Sequence, residues 1–241
     1  MKRFFNMMKT DVMLQFRTKL YHIGIGASVL VAAVLAWLAD PTQMFSYVPA
    51  LLLLVAGGST LLYVAAMIIF EKDQGTLNAT IVSPLRTSEY LWSKIITLTF
   101  LATLEGVIMV GGAMLIMSFL GDVPVPNIPF LLLGIVLIGI IYTLIGILLI
   151  VRYDKFTEFL IPMAAVAVIL QLPFVYFLGW VRQPFLLAIP TSAPTLLMQG
   201  AYTPLASWEW VYGVGYTAVL LIGLTIWAHR AFHKHIIMKV G

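Results

Sequence analysis

The stretch FLLLGIVLIGIIYTLIGILLIV, residues 130–151, contains no charged side chain. A helix needs about 20 apolar residues to cross a hydrocarbon core about 30 Å thick, because each residue rises 1.5 Å. Comparable apolar stretches occur at residues 21–39, 47–70, 95–120, 157–180 and 208–228. The sequence therefore predicts an all-α integral membrane protein with six transmembrane helices.

The overall composition supports a membrane protein. The chain is 61% hydrophobic and 10% charged, whereas soluble domains average roughly 45–50% apolar and 25% charged residues. It contains no cysteine. Disulfides, thiolate metal sites and cysteine nucleophiles are therefore excluded.

The basic residues predict the orientation of these helices. Six spans place both termini on one side, and every Lys and Arg except Arg182 falls on that side. The positive-inside rule then predicts a multi-pass protein of the cytoplasmic membrane with both termini in the cytoplasm. Because the charges follow the membrane boundaries and form no continuous stripe, we expect no nucleic-acid partner.

Two regions organise the chain. Residues 1–19 mix apolar and basic side chains and predict an amphipathic helix at the cytoplasmic interface, and residues 20–241 predict a single six-helix transmembrane domain. Small residues recur every four positions in the first span, on one helix face: Gly24, Ser28, Ala32 and Ala36. Such a face packs closely against another helix, either within the subunit or in a second subunit.

The external segment 181–207 is apolar but is interrupted by four prolines: Pro184, Pro190, Pro194 and Pro204. Proline at this density is incompatible with a spanning helix. The pattern predicts a half-inserted, re-entrant helical segment between the fifth and sixth spans. A simple ordered external loop is the alternative.

The loop at residues 71–94 is the polar segment between the second and third spans. Gly75 can end a helix in a left-handed turn, Thr76 can cap a new short helix over residues 77–82, and Ser83-Pro84 can stop it. Three apolar side chains of this short helix are expected to bury against a partner: Leu77, Ile81 and Val82.

These residues resemble the cytoplasmic signature of the ABC-2 type permeases, the membrane subunits of ABC exporters. The matching positions are Glu71, Gly75-Thr76-Leu77, Val82-Ser83-Pro84-Leu85-Arg86, Glu89-Tyr90 and Lys94. The resemblance extends to the amphipathic helix, the six spans and the long segment before the last span. Chains of this size also resemble drug- and antibiotic-export permeases, including fluoroquinolone exporters.

The resemblance implies that the 71–94 loop is a coupling helix that fits a groove on a separate ATPase subunit. A second, smaller contact would come from the loop that contains Arg152, Asp154 and Lys155. Two ATPase subunits and a second permease, identical or related, would complete the transporter. A hydrophobic or amphipathic drug or lipid-like molecule would be exported, with ATP and Mg²⁺ bound by the ATPase and no cofactor bound by this chain.

Several enzymatic functions are disfavoured. The chain has no G-x-x-x-x-G-K-[ST] motif, so it cannot hold ATP phosphates through a P-loop. Ser59 follows two glycines, but no histidine lies deep in a span to act as its base. The histidines near the C-terminus fit a basic tail better than a metal site.

Glu105 lies near the middle of the third span, where a carboxylate is costly. It is a candidate contact for a cationic substrate or a proton-linked group on a substrate pathway with Tyr63, Tyr142 and Gln171. Alternatively, a neutral or hydrogen-bonded Glu105 stabilises helix packing with these residues or Thr103. The sequence also leaves open a different function, that of a non-transporting membrane assembly protein or a lipid scramblase.

Overall fold

The computed structural model describes residues 2–38, 40–77, 86–119, 121 and 123–238. Its helices are α1 (Lys2–Arg17), α2 (Leu20–Leu38), α3 (Met44–Asp73), α4 (Thr87–Ser118), α5 (Ile128–Ile150), α6 (Phe156–Gln171), α7 (Pro173–Phe177), α8 (Ser192–Gln199), α9 (Ser207–Val211) and α10 (Thr217–Phe232). Short 3-10 turns occupy Pro41–Gln43 and Pro184–Ala188, and π-helical turns occupy Tyr212–Tyr216 and His233–Ile237.

The predicted all-α membrane fold is confirmed. Within the described chain, six helical stretches are long and apolar enough to cross a membrane: Leu20–Leu38, Pro41–Asp73, Thr87–Ser118, Ile128–Ile150, Phe156–Phe177 and Ser207–Ile237. The second and third are longer than the apolar runs that predicted them. At 1.5 Å per residue, the 30 residues of α3 and the 32 of α4 are each about 45 to 48 Å long, well beyond a hydrocarbon core of about 30 Å.

The bundle has two distinct ends. Residues 2–19, the two flanks of the 71–94 loop, residues 151–155 and the end of the last span lie at one end, which we call the basic end. Residues 40–43, 123–127 and 179–206 lie at the opposite end, which we call the distal end.

Helix α2 packs against α4 through its small residues. Gly24, Ser28, Ala32 and Ala36 are all buried, and a Cβ added to Gly112 of α4 would lie 3.1 Å from the Cβ of Ala32. Of the two alternatives for this face, packing within the subunit is therefore the observed one.

The segment 181–207 is folded into the bundle. Helix α8 packs beside α5, with all its residues from Ser192 to Met198 buried. A Cβ at Gly134 would collide with the side chain of Met198, and the backbone N–H of Asn127 donates to the carbonyl of Ala201 at 2.7 Å. This packing against the distal part of α5 distinguishes the segment from a simple loop.

The interior is concentrated around α3 and α5. Of the 18 most apolar consecutive residues in each of these two spans, 67% are buried. The corresponding fraction in the fifth and sixth spanning stretches is 17%. The outer helices therefore leave apolar faces for lipid or for a second subunit.

Candidate functional site

The two flanks of the 71–94 loop are helical. Helix α3 continues to Asp73, and Gly75 has φ +68°, so the predicted left-handed turn after the second span is confirmed. The third span begins at Thr87, where the carboxylate of Glu89 accepts a hydrogen bond of 2.9 Å from the backbone N–H of Arg86. Four predicted coupling residues lie outside the described residues: Ile81, Val82, Ser83 and Pro84.

A buried charge cluster joins these flanks, formed by Asp11, Glu71, Tyr90, Ser93 and Lys94. The ammonium of Lys94 pairs with the carboxylate of Glu71 and, at 2.5 Å, with that of Asp11. Tyr90 donates its hydroxyl to Glu71 at 2.7 Å, and Ser93 donates to Asp11 at 2.5 Å. The side chains of Lys94 and Asp11 are 0% exposed, and that of Glu71 is 10% exposed.

The cluster connects three separate parts of the sequence. Asp11 lies on α1, Glu71 near the end of α3, and Lys94 about two turns into α4. Burial raises the pKa of Asp11 above its usual 3.8, although the nearby ammonium of Lys94 opposes this effect. The amphipathic helix is thus attached by an ion pair to Lys94, which also pairs with Glu71 at the other end of the loop.

This geometry changes the interpretation of two loop residues. We expected Leu77 to bury against a partner, but its side chain is 2% exposed and packs in the hydrophobic core at the basic end. Glu71 likewise points inward, toward Lys94. Both side chains thus contact their own chain at the base of the loop, and their role in coupling stays a prediction.

Sequence reasoning missed Asp11. It is the only acidic residue among residues 1–19, and that isolation was the available signal. The amphipathic helix turns Asp11 and Gln15 inward and leaves Phe5, Met13 and Phe16 exposed. Asp11 and Gln15 therefore contact the bundle together with Met7, Val12 and Leu14, whereas part of the apolar surface of α1 remains exposed.

The second predicted contact lies beside the first. The ammonium of Lys72 donates to the carbonyl of Tyr153 at 2.6 Å and to the carboxylate of Asp154 at 3.3 Å. Arg152, Asp154 and Lys155 are exposed. The described start of the 71–94 loop thus contacts the loop at residues 151–155 at the basic end.

Glu105 lies in a separate, closed polar group within the bundle. Its two carboxylate oxygens accept hydrogen bonds of 2.7 Å from Ser59 and Tyr63, and the residue is 1% exposed. A Cβ at Gly24 would collide with this carboxyl group, so Gly24 is the residue that admits it between α2 and α4.

The other predicted pathway residues lie elsewhere. The ring of Tyr142 faces Gly57, and its buried hydroxyl has no hydrogen-bond partner among the described residues. The amide of Gln171 lies beside Gly58, and Thr103 donates to the carbonyl of Thr99 in its own helix. Ser59, considered from sequence only as a nucleophile, is the partner of Glu105 that sequence reasoning missed.

The described residues contain no group of three or more His, Cys, Asp and Glu side chains that could hold a metal ion.

Comparisons with other proteins cover the whole chain. A sequence model of the fluoroquinolones export permease protein family matches residues 2–240. Similar proteins include the fluoroquinolones export permease proteins of Mycobacterium tuberculosis strains CDC 1551 / Oshkosh and ATCC 25618 / H37Rv. Each is 28% identical over 251 residues, an alignment that covers 100% of this chain and 99% of the relative.

Proposed function

The chain belongs to the fluoroquinolones export permease protein family, and from this premise we propose that it is the membrane subunit of an ATP-driven ABC-2 type drug exporter. The chain is a transmembrane export permease by family. Its proposed energy source is a separate ATPase subunit that contacts the 71–94 loop, and its proposed cargo is an amphipathic drug such as a fluoroquinolone.

The buried charge cluster is the observation that carries this proposal. Lys94 ties the far end of the loop to Glu71 at its near end and to Asp11 on the amphipathic helix. A force applied to the loop therefore reaches α3 and α4 through ion pairs, and these helices extend through the whole bundle. A free surface loop would move without displacing either span.

The surface at the basic end completes this picture. Because Lys72 bridges to Tyr153 and Asp154, one ATPase surface can contact both loops at once. We propose Arg86, Arg152 and Lys155, which are all exposed, as polar contacts. ATP binding would then favour one conformation of the spans through contacts that differ between the two states.

We propose two permease subunits and two ATPase subunits in the complete transporter. A single bundle leaves most of its fifth and sixth spanning stretches unburied. Only 17% of the 18 most apolar consecutive residues in each are buried. The interior around α3 and α5 is closely packed, with glycines in contact with side chains of neighbouring helices. A substrate pathway is therefore better placed between two subunits than within one.

Site-specific photo-crosslinking tests the coupling. A benzoylphenylalanine at position 81 is expected to capture, in cells, a polypeptide that contains a P-loop sequence. The matched control is position 125, because Val125 is 76% exposed at the distal end. Substituting the P-loop lysine of the captured protein should abolish energy-dependent fluoroquinolone efflux. Efflux that persists in cells without the captured ATPase would contradict ATP coupling, and a chain without efflux would instead be an assembly protein or scramblase.

A further inference from the structure

A cavity of about 430 Å³ opens at the distal end, between the start of α3, the end of α7, helix α8 and helix α9. Its volume is within the range of about 300–1,000 Å³ that is typical of small-molecule sites. Its lining includes one basic and one acidic residue, Arg182 and Glu209. None of the coupling residues that the structure describes lines it.

The two charges in this cavity are available to a ligand. No ion pair joins Arg182 to Glu209 among the described residues. The carboxylate of Glu209 accepts the backbone N–H of Ala206 at 2.7 Å through one oxygen. Arg182 is exposed, and it is also the one basic residue that departs from the charge asymmetry of the sequence, so topology does not explain it.

Aromatic side chains form much of the remaining wall. Tyr47 approaches from α3, and Tyr176 and Phe177 approach from α7. Such rings provide apolar contact area for a flat ligand, and their faces also attract a cationic group. The cavity therefore combines an anion contact, a cation contact and an aromatic surface.

We propose that this cavity binds an aromatic zwitterion, with its acid group on Arg182 and its ammonium near Glu209. A guanidinium binds carboxylates with two parallel hydrogen bonds, which suits an aromatic acid. Fluoroquinolones with a free piperazine ring have this chemistry, since a carboxylate and a basic amine lie at opposite ends of a fused ring system. The choice of drug rests on the proposed function. Because the distal end is predicted to face the outside of the cell, this site would lie on the side at which the drug is released.

A zwitterionic lipid headgroup, such as phosphatidylethanolamine, shares the same pair of charges. The aromatic wall and the polar side chains of Gln43 and Gln199 favour a flat soluble molecule over an acyl-chain lipid. The test must nevertheless separate the two sources.

The full chain in nanodiscs of phosphatidylglycerol, without ATPase, is titrated with ciprofloxacin, and binding is followed by drug fluorescence. Arg182→Gln is expected to weaken ciprofloxacin binding about tenfold, as for the loss of one charge-assisted contact. It should leave the binding of ciprofloxacin methyl ester, which has no anion, unchanged. Glu209→Gln keeps an oxygen that can accept the Ala206 N–H. It should weaken the binding of ciprofloxacin about tenfold and leave the binding of N-acetylciprofloxacin, which has no cation, unchanged.

Arg230→Gln and Glu158→Gln are the matched controls, because both residues are exposed away from the cavity, and neither should change binding. Equal affinities of wild type and both cavity variants would overturn the proposal, even if energy-dependent efflux in cells supports the proposed function. It would also be overturned if ciprofloxacin fails to bind while Arg182→Gln releases co-purified phosphatidylethanolamine, since the cavity would then be a lipid site.

Discussion

Lys94 and Glu71 form a buried ion pair that joins the two ends of the 71–94 loop. Asp11 adds a second carboxylate to the same ammonium, so the buried charge cluster holds two acidic groups and one basic group. Removal of the base and removal of one acid should therefore have unequal consequences. A larger loss of thermal stability on removal of Lys94 than on removal of Asp11 would show that the cluster stabilises the fold.

Lys94→Met is expected to be the most destabilising change in this cluster. It leaves two buried carboxylates without a cation, and loss of one partner of a buried pair costs about 3–5 kcal/mol. The midpoint of thermal unfolding in nanodiscs measures the effect. Asp11→Asn leaves one ammonium with one carboxylate, so its midpoint should fall much less.

Lys72→Met is the control for the removal of a lysine. In its pair with Asp154, the side chain of Lys72 is 14% exposed and that of Asp154 is 72% exposed, so water screens this pair, and pairs exposed to water contribute about 0–1 kcal/mol. Equal midpoints for the Lys94 and Lys72 variants would show that the buried cluster does not stabilise the basic end.

Asp11 also makes the stability depend on pH. Burial raises its pKa above the usual 3.8, so the folded chain binds this proton more readily than the unfolded chain. The resulting stabilisation is present below pH 3.8 and is lost as pH rises through the folded pKa. Unfolding midpoints measured at closely spaced pH values should therefore fall more steeply from pH 4 upward in wild type than in Asp11→Asn. Identical slopes would contradict the assignment to Asp11.

The sequence predicted the fold better than the polar contacts. Apolar length located the spans, because it is a sum over many residues. Helices α3 and α4 extend beyond their apolar runs because polar residues such as Glu71 and Lys94 continue a helix beyond its apolar part. The contacts of Lys94 with Asp11 and of Glu105 with Ser59 join positions 83 and 46 residues apart, and such pairings depend on tertiary packing, which local pattern does not specify.

Gly24 and Gly26 provide a matched test of close packing at Glu105. A Cβ at Gly24 would collide with the carboxyl of Glu105, whereas nothing lies within 4 Å of a Cβ at Gly26. Gly24→Ala should destabilise the chain by about 1–3 kcal/mol through overpacking. Gly26→Ala should be neutral or stabilise by about 0.5–1 kcal/mol, because alanine favours helix. If both variants unfold at the same temperature, α2 does not approach Glu105 as described.

Glu105 is expected to act through stability. Glu105→Leu leaves the Tyr63 hydroxyl without its acceptor, at a cost of about 1–3 kcal/mol, whereas Ser59 can still donate to the carbonyl of Val55. Adding Tyr63→Phe should therefore recover much of the lost thermal stability. Glu105→Gln should retain drug efflux. An efflux defect in Glu105→Gln at unchanged thermal stability would instead favour recognition of a cationic substrate.

The last prediction concerns the orientation of the two ends. All basic residues except Arg182 lie on the same side as both termini in the six-span arrangement. The basic end should therefore face the cytoplasm. Single cysteines can be introduced at positions 86 and 182 of this cysteine-free chain, since both residues are exposed. A membrane-impermeant maleimide added to intact cells should label position 182, and position 86 only after the cells are opened. Labelling of position 86 but not position 182 in intact cells would reverse the orientation. It would place the loop on the side opposite to cellular ATP and thereby refute ATP coupling through residues 71–94.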